Sequence, residues 1–208
     1  DFRGNRINLF QLSDKGSAYT STQIDDLVSS RHGAFRPIDV KMGPDGAIYV
    51  ADWYNPIIQH GEVDFRDPRR DHTHGRIWRI TFEGRDLVKK PDIGNATEPE
   101  LIQHFNAPEG WTRNAAAVEL RSRNAESVEA ALKSASAPAG VAPDLFALRK
   151  VWASQTIQRF VPDEAVALLS SDNHKIRAAA LRAMYYHAAE IPEALAVAEK
   201  AVAAPHPQ

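Results

Sequence analysis

Histidines, aspartates and arginines crowd one short stretch of this chain. His60, His72 and His74 lie between Pro56 and Arg76, among Asp64, Asp67, Asp71, Arg66, Arg69 and Arg70. A neutral imidazole is a base near neutral pH, which makes His60 and His72 candidate catalytic bases for an alcohol oxidation. His74 is a candidate substrate or cofactor contact, and the His72-Thr73-His74 spacing also permits chelation. The alternation of acid and base reads equally as an ion-pair network holding a long loop, where exposed pairs contribute about 0–1 kcal/mol each. Just upstream, Asp52 and Asn55 are of the type that binds a divalent cation, with Asn55 also able to touch substrate. The same two residues serve elsewhere as turn caps, bonding nearby backbone N–H groups. Arg36 and Arg76 carry guanidinium forks suited to the carboxylates of a quinone or a sugar acid. Tyr54, with Trp53, fits either a carbohydrate pocket or aromatic packing.

The elements that position these groups are legible around them. Pro37 to Met42 alternates Ile38, Val40 and Met42 with Asp39 and Lys41, the period-two pattern of a half-buried strand. Gly43-Pro44-Asp45-Gly46 is a turn, and Ala47 to Trp53 returns as a mostly apolar strand. A hairpin sets the start of its first strand beside the end of its second, so Arg36 is predicted beside Asp52, Tyr54 and Asn55. The polar loop Pro56 to Gly75 leaves from that end, and Arg76 to Phe82 carries the chain back into the sheet. A polar loop this long is more often functional than not.

Composition narrows the rest. The 208 residues are 43% hydrophobic and 25% charged, enough for one or two cores. A formal net charge of −2 supplies no basic excess for phosphates, so nucleic acid is excluded as the main partner. The absence of cysteine excludes disulfides, thiolate metal sites and haem attachment within these residues. No apolar run reaches the length of a membrane span.

Residues 1–12 echo the central unit: Asp1-Phe2-Arg3-Gly4-Asn5 against Asp52-Trp53-Tyr54-Asn55, then Asn5 to Phe10 against Gly75 to Ile80. Such repetition predicts the C-terminal blades of a β-propeller over 1–90, incomplete because a propeller needs about four blades. The missing blades are expected in the same or another chain. Residues 91–97 read as a linker. Thr97-Glu98-Pro99-Glu100 has the form of a capping box, and 98–208 is predicted as incomplete HEAT-like helical repeats. The Arg-x-Ala-Ala elements at Arg113 and Arg177 are 64 residues apart, two units of a helical-hairpin repeat.

With these pieces placed, the stretch from Phe35 to Ile80, with Asp1 to Ile7 and Trp111-Thr112-Arg113, resembles a bacterial family of membrane-bound dehydrogenases. Its members resemble sorbosone or quinoprotein glucose dehydrogenases in their propeller, followed by HEAT repeats and often a C-terminal cytochrome c domain. The resemblance implies oxidation of a sugar or polyol with electron transfer to a cytochrome-type acceptor. It also implies pyrroloquinoline quinone and Ca²⁺ as cofactors, and haem c on a downstream domain alone. It places the protein in the periplasm or at the cell envelope. A different reading of the same residues is a propeller–solenoid scaffold that binds glycans or proteins without catalysis.

Overall fold

The structure is a computed structural model that describes residues 1–16, 18–59 and 61–202. It divides into two units, Asp1–Lys90 and Pro91–Gln208.

The first unit is all antiparallel strand and loop. β1 (Arg6–Lys15) and β2 (Ala18–Ser29) form a long hairpin around Gly16, whose φ of +57° favours glycine, with register running from Arg6 opposite Ser29 to Lys15 opposite Ala18. β3 (Pro37–Met42), β4 (Ile48–Asp52) and β5 (Arg76–Ile80) form a separate three-stranded sheet in the order β3-β4-β5. The β3–β4 turn closes through Gly46 N–H to Gly43 O at 3.1 Å, with Gly46 at φ +76°. Asp45 fastens that turn: its carboxylate accepts from Ala47 N–H, the Tyr49 hydroxyl and the Arg79 guanidinium. The register places Val40, Val50 and Trp78 in one row and Met42, Ile48 and Ile80 in the next. The buried part of that face, centred on Val50, packs with Ile7 and Phe35 against Leu27 and Val28.

The expected propeller blades are not formed. Among the described residues there are two small sheets, of two and three strands, and no four-stranded blade. The physical reason lies in the first thirty residues, where β2 pairs with β1 at both its ends, interrupted by a register shift between Ile7 and Leu9, and so closes a hairpin of its own. The outer half of that hairpin is exposed at Phe10, Leu12 and Tyr19, so it makes no packed layer with the three-stranded sheet. After β5 the chain runs on as turns rather than as a fourth strand, returning to the sheet through Val88 N–H to Asp45 O at 2.8 Å.

The second unit is helical: α1 (Glu98–Phe105), α2 (Gly110–Ser122), α3 (Ala125–Ser134), α4 (Pro143–Thr156), α5 (Pro162–Ala167), α6 (His174–Tyr186) and α7 (Ala194–Val202), with 3-10 turns at Leu168–Ser170 and Ala188–Glu190. Pro99, Pro143 and Pro162 start helices where a missing N–H does no harm. Glu100 accepts from Thr97 N–H at 2.8 Å, Asn124 from Ser127 N–H, and Asn173 from Lys175 N–H. A HEAT-like solenoid is not what results. Helix lengths run from 6 to 14 residues, and the apolar faces close on two cores instead of one continuous stack. Leu101, Ile102, Leu120 and Val128 centre the first, while Leu148, Val151, Ile176 and Ala180 centre the second. The internal echo survives in chemistry. Arg113 donates to Ala107 O at 2.8 Å and Arg177 to Ser171 O at 2.8 Å, each capping the loop before its own helix.

Candidate functional site

Asp52 ends β4 and organises everything beyond it. Its side chain is fully buried and accepts four hydrogen bonds. Oδ1 takes Arg36 N–H at 2.7 Å and Tyr54 N–H at 3.0 Å. Oδ2 takes Arg76 Nε at 2.8 Å and Trp78 Nε1 at 2.9 Å. Burial pushes its pKa up, but the Trp78, Arg36, Tyr54 and Arg76 hydrogen bonds outweigh that and hold it below the ordinary carboxylate range. With four donors on two oxygens, no lone pair of Asp52 is left for a cation. Asn55 is committed in the same way: its Oδ1 accepts from Ile57 N–H at 3.0 Å and its Nδ2 donates to Asp71 O at 3.3 Å. Among the described residues no group of three or more His, Cys, Asp or Glu converges as a metal site.

Two buried arginines hold the surrounding loops by their carbonyl oxygens. Arg36 donates to Asn55 O at 3.0 Å, Phe2 O at 2.9 Å, Arg3 O at 3.3 Å and Pro56 O at 3.3 Å. Arg70 donates to Asp64 O at 3.0 Å, Ile57 O at 3.4 Å, Val63 O at 2.9 Å and Gln59 O. Guanidinium is the one side chain with enough fixed donors for this, and carbonyl acceptors let it be buried without a carboxylate partner. Burial lowers the Arg36 pKa against the opposing pull of Asp52. The expected role of Arg36 as a carboxylate clamp is therefore replaced by a structural one.

The loop's acidic residues make turns more than ion pairs. Asp64 accepts from Arg66 N–H at 2.7 Å, Asp67 from Arg69 N–H at 2.9 Å, and Asp71 from Thr73 N–H at 2.9 Å, each two residues on. Asp67 also pairs with Arg69 at 2.7 Å, and that guanidinium draws its pKa down to about 2.

Beside this frame opens a cleft of about 550 Å³, lined by His32, Ala34, Tyr54, Pro56 and the segment Pro68 to His74. Tyr54 lines it with its backbone in the left-handed region at φ +52°, a strained setting for a bulky residue. Its ring stacks on His32 at 5.8 Å between centroids, meets His74 edge-on at 6.0 Å, and has the Arg76 guanidinium 3.9 Å from its centre. Arg76, bound to Asp52 and lying between Tyr54 and Trp78, fixes the ring from beneath.

His74 Nδ1 lies 2.8 Å from Asp71 Oδ2. Hydrogen bonds from the Thr73 backbone, from His74 and from the Thr73 hydroxyl bring the Asp71 pKa down to about 2, so the carboxylate is anionic and Nδ1 is the protonated nitrogen. In the neutral ring this leaves the lone pair on Nε2, to which no described residue makes a hydrogen bond. On the opposite wall His32 Nδ1 accepts from Ala34 N–H at 3.2 Å, so its Nε2 carries the proton. The cleft thus offers an acceptor at His74, a donor at His32 and an aromatic face between them.

The structure brings Tyr54, His72, His74 and Arg76 to this cleft or its floor, while Arg36, Asp52 and Asn55 form the frame behind it. His60 lies outside the described residues. Sequence reasoning had not selected His32 or Asp71. The Asp71-x-x-His74 spacing, which lets one carboxylate reach both the turn amide and the imidazole, is the signal that would have found the pair. Two of the residues expected to hold a quinone and calcium, Arg36 and Asp52, do not fit that role, because the donors of Arg36 and the oxygens of Asp52 are taken internally.

Comparison with curated proteins and with solved structures gives no match to this chain. Residues 3–84 match a family model described as a domain of unknown function, DUF7133, a span that holds both sheets, the loop and the cleft.

Proposed function

We propose that the cleft over Tyr54 binds a sugar or polyol and that His74, oriented by Asp71, withdraws the proton of a bound hydroxyl. Proton withdrawal is the share of an alcohol dehydrogenation that this chain's residues can carry. The observation behind it is the Asp71–His74 pair at 2.8 Å, which turns Nδ1 to the carboxylate and makes Nε2 the lone-pair nitrogen of the neutral ring. The stacked Tyr54 and His32 rings form an aromatic wall against which the C–H groups of a sugar can lie, and His32 Nε2–H supplies a donor to a neighbouring hydroxyl.

The experiment is oxidation of a panel of sugars and polyols by the full chain, followed by reduction of an artificial quinone-class dye that takes the two electrons. His74→Gln is expected to lower kcat by about 10²–10⁴-fold with little change in KM. Absence of oxidation above the dye's background with every member of the panel overturns the catalytic step.

A second reading is favoured by the closed hydrogen-bonding of Asp52, whose four lone-pair sites are all taken by the frame behind the cleft. In it the same cleft holds a glycan without chemistry. Saturable sugar binding with no oxidation is its signature.

A further inference from the structure

β3 is an edge strand, and its sequence is self-complementary about Val40. The order is Ile38, Asp39, Val40, Lys41, Met42: apolar, acid, centre, base, apolar. Gly43 N–H donates to Ala47 O at 2.8 Å, so Lys41 and Asp39, in register with Tyr49 and Ala51, direct their backbone groups inward to β4. The backbone of Val40 and Met42 then faces outward along the open edge. Val40 N–H is met there by its own neighbour, the Asp39 carboxylate, at 2.9 Å. The outward residues are apolar and uncovered: Ile38 is 60% exposed, Val40 42% and Met42 50%.

From this edge we infer that a second copy of the chain adds to β3 in antiparallel fashion, with Val40 opposite Val40. That register exchanges both backbone bonds between the two valines, the pairing their outward groups require. It sets Ile38 against the second copy's Met42, and Asp39 against the second copy's Lys41, twice by symmetry. Registers centred one residue away bring Asp39 onto Asp39 or Lys41 onto Lys41, so charge selects this one. Asp39 leaves Val40 N–H to its new backbone acceptor and exchanges its 3.3 Å contact with its own Lys41 for the same contact across the two-fold axis. The product is a six-stranded sheet in which neither β3 is an edge.

Sedimentation velocity of the full chain over a wide concentration range tests this, with Asp39→Lys, Lys41→Asp and the double exchange as variants. The expected result is a monomer–dimer equilibrium that either single change weakens about tenfold and the double exchange restores. Both positions are exposed, and the double exchange carries the test if one single variant misfolds. A chain that stays monomeric throughout overturns the inference. So does a dimer that the single changes leave intact or that the double exchange fails to restore.

Discussion

The indole Nε1–H of Trp78 donates to Asp52 Oδ2 at 2.9 Å, joining the middle of β5 to the end of β4 beneath the cleft. Asp52 shares that oxygen with Arg76 and gives the other to the Arg36 and Tyr54 amides, so one carboxylate ties the residue before β3 and the strand β5 to the end of β4. Asp52→Ala is expected to destabilise the first unit by about 3–5 kcal/mol, because it strands a buried amide, an indole N–H and a guanidinium. Denaturant unfolding of the two proteins measures it. A loss under about 1 kcal/mol contradicts the framing role.

Acid should act through the same group and its relatives. Asp52 is held below its ordinary pKa, and Asp45, Asp67 and Asp71 are drawn to about 2, Asp45 chiefly by Arg79. Their unfolded values are near ~3.9. A depressed folded pKa means the unfolded chain binds protons first, so the stabilisation is fully present above about pH 5 and is lost as pH falls from ~4 towards ~2. Thermal unfolding against pH should be flat above that window and fall steeply within it. In Asp52→Ala the fall should be shallower, and an unchanged slope there would remove Asp52 from the explanation.

Arg70 holds the loop through the carbonyls of Ile57, Gln59, Val63 and Asp64. A lysine has too few fixed donors to replace it. Arg70→Lys is expected to lower stability by about 1–2 kcal/mol and to speed amide exchange across residues 61–71, with β1 to β5 unchanged. Exchange that rises in the strands but not in the loop would show that Arg70 acts elsewhere.

Tyr54 separates binding from stability. Its left-handed backbone is strained for tyrosine but tolerated by asparagine. Tyr54→Asn should leave stability within about 1 kcal/mol while removing the ring that stacks on His32, and sugar binding with it. Calorimetric titration with the best ligand of the panel checks this. Undiminished affinity would move the site away from this ring.

Much of the local structure was legible in the sequence, and the assembly of it was not. The alternation in Pro37 to Met42, the Gly-rich turn and the return through Ile48 to Asp52 located β3 and β4 because period-two patterning is a local signal. The capping box at Thr97 likewise set the start of α1 at Glu98. The propeller reading failed because an echo between Asp1-Phe2-Arg3 and Asp52-Trp53-Tyr54 reports similar turns, not which strands pair. β2 paired with β1 from Ala18 to Ser29 across one register shift, and pattern alone does not exclude that. At the site, charge drew attention to Arg36 and Asp52. The sequence could not tell that the donors of Arg36 would be taken by loop carbonyls brought from Phe2 and Asn55, or the oxygens of Asp52 by two backbone amides, Arg76 and Trp78. Asp71 was one acid among several until the fold set it 2.8 Å from His74.

The most direct measurement is the ¹⁵N spectrum of the His74 ring in the full chain, with and without a sugar or polyol ligand. The account predicts that neutral His74 carries its proton on Nδ1 and that the Nε2 resonance moves saturably with ligand, but not in Tyr54→Asn. A proton found on Nε2, or an Nε2 resonance indifferent to every ligand of the panel, would contradict it.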